Sequence, residues 1–286
     1  IHKMTMEEYL ALKALSSGVC AKVLTDSPFH ARLASPWNDS RVQSESGTAD
    51  IGTYAHAMLL EGGTDKLVVI DAEDWRTKAA KEARDAAYAE GKTPILQKKV
   101  AAVEAMVAAA KEYLARSEIA GIFDTGAPEQ TLAWYEGETL CKARADWLTE
   151  DKRICLSYKT TEGSANPDSW IRTQLPQYDL ATVFYERGVL AACKVDQTCV
   201  VHLVQEQSFP FCCSLIGLDP AYKDLAYRKM DSALATWASC VATGTWPAYP
   251  TRICWAEPKA WQLSDFEQRE VNTAFSNDEL TGGIPL

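Results

Sequence analysis

Lys142-Ala-Arg-Ala-Asp146-Trp-Leu148, a short polar break, then Ile154-Cys-Leu-Ser157-Tyr-Lys159-Thr-Thr161 is the stretch that decides the fold. Apolar and polar residues alternate on both sides of the break, which predicts two antiparallel strands joined by a turn at 149–152. Position 157 lies two residues before Lys159, so both side chains leave the same face of their strand. Pairing around the turn brings Asp146 near residue 157. An acid and a lysine placed this way can hold a divalent cation and a water. The cation polarises a phosphodiester and lowers the pKa of the water, while the lysine orients or helps deprotonate the nucleophile. Such a site needs a second carboxylate at 157, and a serine stands there. Taken alone, Asp146 and Lys159 are also what an ordinary hairpin shows to solvent.

Moving outward, the pattern is α/β. Residues 129–135, 140–148 and 153–159 alternate like neighbouring strands of one sheet, and 67–70, 198–205 and 210–216 read as further strands. Residues 5–15 form a short amphipathic segment. Ser16-Ser17-Gly18 can cap a helix over 19–24, which Ser27-Pro28-Phe29 breaks. A helix over 51–61 ends at Gly62-Gly63, after a polar loop at 35–47. Helices over 77–90 and 97–117 read as a solvated hairpin packed on the core. Two more helices are expected over 170–186 and 220–242. The Trp- and Pro-rich tail from Trp246 is expected to wrap the surface. No repeat or clear linker interrupts the chain. The expectation is one domain over 1–286: a helical part over about 1–65, the hairpin at 77–117 and a mixed-sheet core over about 125–245.

Nearly half the residues are apolar, enough for a sizeable core. Nine cysteines at irregular spacing, with no CxxC pair, argue against a zinc ribbon or a disulfide framework and for reduced thiols in a cytoplasmic protein. No apolar run reaches the length of a bilayer crossing, so no membrane partner is expected. Ile1 in place of Met fits a piece of a longer chain. The net charge of −10 excludes a coat of basic surface. It still allows nucleic acid in a basic channel whose exterior is acidic.

Several pieces stand in the order found in one nuclease family. They are Leu15-Ser-Ser17 followed by Ser27-Pro28; Gly47-Thr-Ala-Asp-Ile-Gly52-Thr-Tyr-Ala-His56; Glu129 before Gln-Thr-Leu-Ala-Trp134; Lys142 to Trp147; Ser157-Tyr-Lys-Thr-Thr161; Gln174-Leu-Pro-Gln-Tyr178; and Trp246-Pro-Ala-Tyr249. From about Ser16 to Tyr249 the chain resembles the RecE-type (exonuclease VIII) branch of the PD-(D/E)XK superfamily, close to the RecB-like nucleases. The resemblance implies an α/β nuclease core, Mg²⁺ (or Mn²⁺) as cofactor, and 5′→3′ digestion of linear double-stranded DNA for recombination. It implies metal ligation by His56, Asp146, position 157 and the backbone carbonyl of Tyr158. Glycines at 47 and 52 would let the backbone approach that site closely. Lys159 would contact the attacking water or the scissile phosphate, and Glu129 would be an outer metal ligand or a structural acid. Gln174 and Tyr178 would support the site and touch DNA. Arg32, Arg41, Lys142, Arg144 and Arg172 are candidate phosphate contacts.

The family pattern has Asp where this chain has Ser157. A neutral hydroxyl is a poor ligand for a hard cation, so weak metal binding and impaired cutting are expected. The otherwise intact site fits a single inactivating change, and Glu129 or Glu162 could compensate. By analogy the partners are double-stranded DNA ends, other copies in a ring-shaped homo-oligomer (a tetramer favoured over a trimer), and a RecT-type annealing protein, in a bacterial or phage-encoded setting. Rival expectations are a non-catalytic DNA-end-binding relic, another RecB-like nuclease, and a purely structural assembly protein. The cysteine spacing offers no iron–sulfur set of the kind CRISPR-associated members carry.

Overall fold

The computed structural model describes residues 4–41, 51–61 and 67–279. The glycine at 47, residues 42–47 of the expected 35–47 loop and the Gly62-Gly63 stop lie outside them. Two compact units divide the chain, one through Ala248 and one from Tyr249, where a single domain over 1–286 was expected.

Serine and threonine caps set the N-terminal helices. Thr5 and Glu8 form a capping box on α1 (Met6–Ala11). Ser16 caps α2 (Ser17–Thr25), and Ser27 with Pro28 starts α3 (Pro28–Ala34). The Ser-Pro pair is therefore a start as well as a break. Helix α4 (Ile51–Leu60) buries Tyr54, Ala55, Leu59 and Leu60.

The solvated hairpin expected over 77–117 is corrected. Strand β1 (Leu67–Ile70), helix α5 (Lys78–Ala89) and strand β2 (Thr93–Leu96) form a βαβ unit, with β1 and β2 parallel. Helix α6 (Gln97–Ala115) follows and buries Val103, Met106, Val107, Ala110 and Leu114. Pro94 is the second residue of this short two-stranded pairing, whose edge strands tolerate a missing N–H.

The main sheet comprises β3 (Ala127–Glu136), β4 (Thr139–Leu148), β5 (Ile154–Thr161), β6 (Cys199–Glu206) and β7 (Cys213–Ile216), in that spatial order. Only β5 and β6 are parallel, which makes the sheet mixed, as expected. Their crossover carries α7 (Pro167–Thr173) and α8 (Leu175–Cys193). The single helix expected over 170–186 breaks at Gln174, because Pro176 has no N–H to bond the carbonyl of Arg172 four residues before it. Helix α9 (Pro220–Thr243), capped by Asp219, packs beside α8.

Strand alternation divides two cores. Cys155, Val200 and Val204 join α2, α8 and α9 on one face, while Leu156, Tyr158 and Leu203 join α4 and α6 on the other. Ser157, Lys159 and His202 share the parity of the first set and so face α8. On α8, Gly188 lets the Trp134 ring of β3 come close to the helix: a Cβ there would fall 2.7 Å from Trp134 Cζ3.

The second unit holds α10 (Ala260–Glu279), a helix that the reading of the tail missed. All nine cysteines are free thiols. Among the described residues, no helix is long and apolar enough to cross a membrane.

Candidate active site

The β4–β5 ladder holds two registered pairs, Trp147 with Leu156 and Leu148 with Cys155. One step further the ladder stops. There the Asp146 carboxylate accepts the backbone N–H of Tyr158 at 2.9 Å and the hydroxyl of Ser157 at 3.1 Å, both on Oδ2. A side chain thus replaces the backbone acceptor that a continued ladder would supply.

On the other edge of β4, pairing with β3 runs Pro128 to Trp147 and Gln130 to Ala145, skipping Glu129. Glu129 has φ of 54°, the left-handed region that costs a residue with a Cβ. Its carboxylate is ion-paired with Arg144, which also donates to the carbonyl of Met4 at 3.0 Å. Helix α4 supplies His56, whose Nε2 lies 3.8 Å from Asp146 Oδ2 and whose ring stacks over Tyr158. Lys159 Nζ lies 3.7 Å from the same carboxylate oxygen.

Charge is balanced around Asp146. Burial would raise its pKa, but the Lys159 ammonium, the His56 ring and the Ser157 hydroxyl outweigh burial and hold it at about 2. For His56, burial pulls down, while the hydrogen bond and charge of Asp146 and the charge of Glu129 pull up and win. His56, Glu129 and Asp146 offer ligand atoms all within 4.8 Å of one another. One imidazole nitrogen and two carboxylates, completed by waters, fit Mg²⁺ or Mn²⁺. Tyr158 meets Asp146 through its N–H, and its phenol turns away to Gln205.

Two spaces flank this cluster. A cleft of about 460 Å³ is lined by His56, Glu129, Lys159 and Thr160. A cavity of about 260 Å³ beside Ser157 is lined by Ser17, Lys159, Gln177, Tyr178, Tyr185 and His202. Tyr178 stacks on Trp170 and holds its ring 5.8 Å from Lys159 Nζ. Gln174 sits at the α7–α8 junction, so Gln177 and not Gln174 lines the cavity. Sequence reading missed Tyr185 and His202. Tyr185 follows Tyr178 by seven residues, two helical turns along one face, and that spacing could have found it. His202 sits at the strand position that pairs with Ser157 across β5 and β6, a register invisible before the sheet order is known. Burial pulls the His202 pKa down to about 4, so its ring is neutral.

The expected phosphate contacts scatter. Lys142 is buried, and its ammonium donates to the carbonyls of Tyr9 and Leu12 at the end of α1. Its N–H groups are spent on the fold. Arg144 buttresses Glu129, as above. Arg41 donates to the carbonyls of Ala34 and Leu10. Arg32 lies over the Trp246 ring, and Arg172 is exposed on α7.

A family model described as a PDDEXK-like domain of unknown function (DUF3799) matches residues 12–255. No curated protein matches the chain. Among solved structures, the crystal structure of a "Putative exonuclease" from Eubacterium rectale is similar over 92% of this chain and 98% of its own, with a TM-score of 0.57 and 12% identity. At that identity the likeness shows the fold alone.

Proposed function

The chain belongs to the PDDEXK-like (DUF3799) family, and on that premise we propose that it is a Mg²⁺-dependent DNA exonuclease whose cutting is impaired by Ser157. One observation carries this reading. His56, Glu129 and Asp146 converge within 4.8 Å, and Lys159 stands 3.7 Å from Asp146.

His56 and Asp146 would hold the cation, with Glu129 as a third ligand aimed by Arg144. A bound cation would polarise a phosphodiester oxygen and acidify a water. Lys159 offsets phosphate charge at the junction of cleft and cavity, and Tyr178 holds its ammonium over an aromatic face. Ser157 contributes a hydroxyl that donates to Asp146, where a carboxylate would add a charge and further acceptors.

The substrate in this reading is linear double-stranded DNA, digested 5′→3′ for recombination. A ring-shaped homo-oligomer, a tetramer by preference, would suit a net charge of −10, repelling DNA outside and admitting an end to its lumen. A RecT-type annealing protein would take the single strand by analogy. A second reading, a DNA-end-binding relic, is favoured by one observation, the serine at 157.

Digestion of end-labelled linear duplex with Mg²⁺ or Mn²⁺ tests the two. Ser157→Asp is expected to raise the rate by about 10²-fold or more, with polarity read from the labelled end. If the aspartate variant stays inert while calorimetry shows metal bound through His56 and Asp146, the relic reading replaces the nuclease.

A further inference from the structure

Ser157 and His202 are registered partners on β5 and β6, and both line the cavity beneath α2 and α8. His202 is only 2% exposed. Its Nε2 lies 2.7 Å from Thr182 Oγ1. The single hydroxyl proton of Thr182 goes to the Tyr178 carbonyl, 2.8 Å away. Thr182 can therefore only accept from the ring, which assigns the imidazole proton to Nε2. The lone pair is left on Nδ1, and Nδ1 is buried without a hydrogen-bond partner. A stranded acceptor is costly unless something donates to it. The cavity has room for water, and Lys159 and Ser157 stand on its wall.

We propose that His202 Nδ1 accepts the hydrogen bond that a carboxylate at position 157 would accept, holding the attacking water of the cleavage reaction against Lys159. This rests on the nuclease reading above. The two groups differ in a way that sets the outcome. A neutral imidazole offers one directed lone pair and no charge, so it can orient a water but cannot replace a charged metal ligand. Slow cutting follows, not full activity. Thr182 fixes the tautomer, and the rings of Trp170 and Tyr178, 5.8 and 6.1 Å away, fix the plane of the imidazole.

Four chains test it: the unaltered protein, His202→Phe, Ser157→Asp and the double variant. Single-turnover digestion of linear duplex with Mn²⁺ is measured alongside DNA affinity. The unaltered chain is expected to digest slowly. His202→Phe should lower that rate by about 10-fold or more at unchanged affinity, in line with the usual worth of a group positioned at the transferring proton. In the Ser157→Asp background the same change should cost less than about threefold, because the carboxylate has taken over the water. His202→Gln, which keeps an acceptor, should recover part of the rate. Equal losses in both backgrounds, or no loss in either, overturn the proposal. So does an inert unaltered chain beside an active Ser157→Asp. If Ser157→Asp is inert too, the nuclease reading falls with it. Nitrogen NMR of the labelled imidazole is independent of activity and of the folding of any variant: a protonated Nδ1 in the unaltered chain overturns the proposal.

Discussion

Asp146 and Ser157 stand opposite each other one step past the last registered pair of β4 and β5, joined by a 3.1 Å side-chain hydrogen bond. A second carboxylate at 157 would meet the first at that range. Two such charges repel and raise one of the two pKa values. Ser157→Asp should therefore lower the melting temperature in EDTA and make it respond to metal. A ligand at 100 times its Kd adds about 2.7 kcal/mol. Thermal melts with and without Mn²⁺ check this: the metal-induced rise should be larger for Ser157→Asp than for the unaltered chain. An equal rise would place the cation away from residue 157.

The ion pairs of Asp146 set an acid limit. Its pKa falls from 3.8 to about 2 on folding. A depressed carboxylate stabilises fully above its unfolded value, and that stability is lost as pH drops through the folded value. The window is thus from just above pH 3.8 down to about 2, and the loss comes to about 2 kcal/mol. Asp146→Asn should lack this segment and should also be less stable at neutral pH, because Lys159 and His56 lose the Asp146 countercharge. Urea melts in EDTA between pH 2 and 6 measure it. Parallel curves for the two proteins below pH 4 would count against the pairing.

Much of this site was legible because it is local. The alternation around Asp146 and Lys159 marks two strands, and an eleven-residue separation joined by a polar turn brings Asp146 to Ser157. What stayed hidden depends on order in space. Lys142 reads as a basic group on a strand, and only the docking of α1 shows that its ammonium closes a helix end. Thr93–Leu96 is too short and too near Gly91 and Pro94 to announce a strand, and its parallel partner lies 26 residues upstream. Gln174 and Tyr178 looked like one helical face, but Pro176 starts a new helix and leaves Gln174 at the joint.

Lys142 should behave as a structural residue. Lys142→Met would take the donor from the part-buried Tyr9 carbonyl, while the Leu12 carbonyl keeps the Ala14 N–H, at a cost of about 1–3 kcal/mol. DNA affinity and its salt slope should stay as they are, because no phosphate contact is lost. Lys159→Met should do the reverse, weakening DNA binding and flattening the slope by about one unit. Denaturant titrations and binding isotherms at several salt concentrations separate the two. A reduced salt slope for Lys142→Met would return it to the DNA surface.

The contact between Gly188 and Trp134 positions α8, and with it Tyr178 and Tyr185, against the sheet. Alanine at 188 would gain up to about 1 kcal/mol of helix propensity. Its Cβ would also sit 2.7 and 2.9 Å from two ring carbons of Trp134. Ring and helix are both packed in the core, so neither can yield cheaply, and overpacking of this kind costs about 1–3 kcal/mol. The clash should win, and Gly188→Ala should lower stability. Trp134→Phe supplies the control, since its smaller ring removes both clashing atoms. In that background Gly188→Ala should be neutral or stabilising, a coupling that thermal melts of the four-member cycle would read directly. Additive losses would mean that the helix is held off the sheet by something other than Trp134.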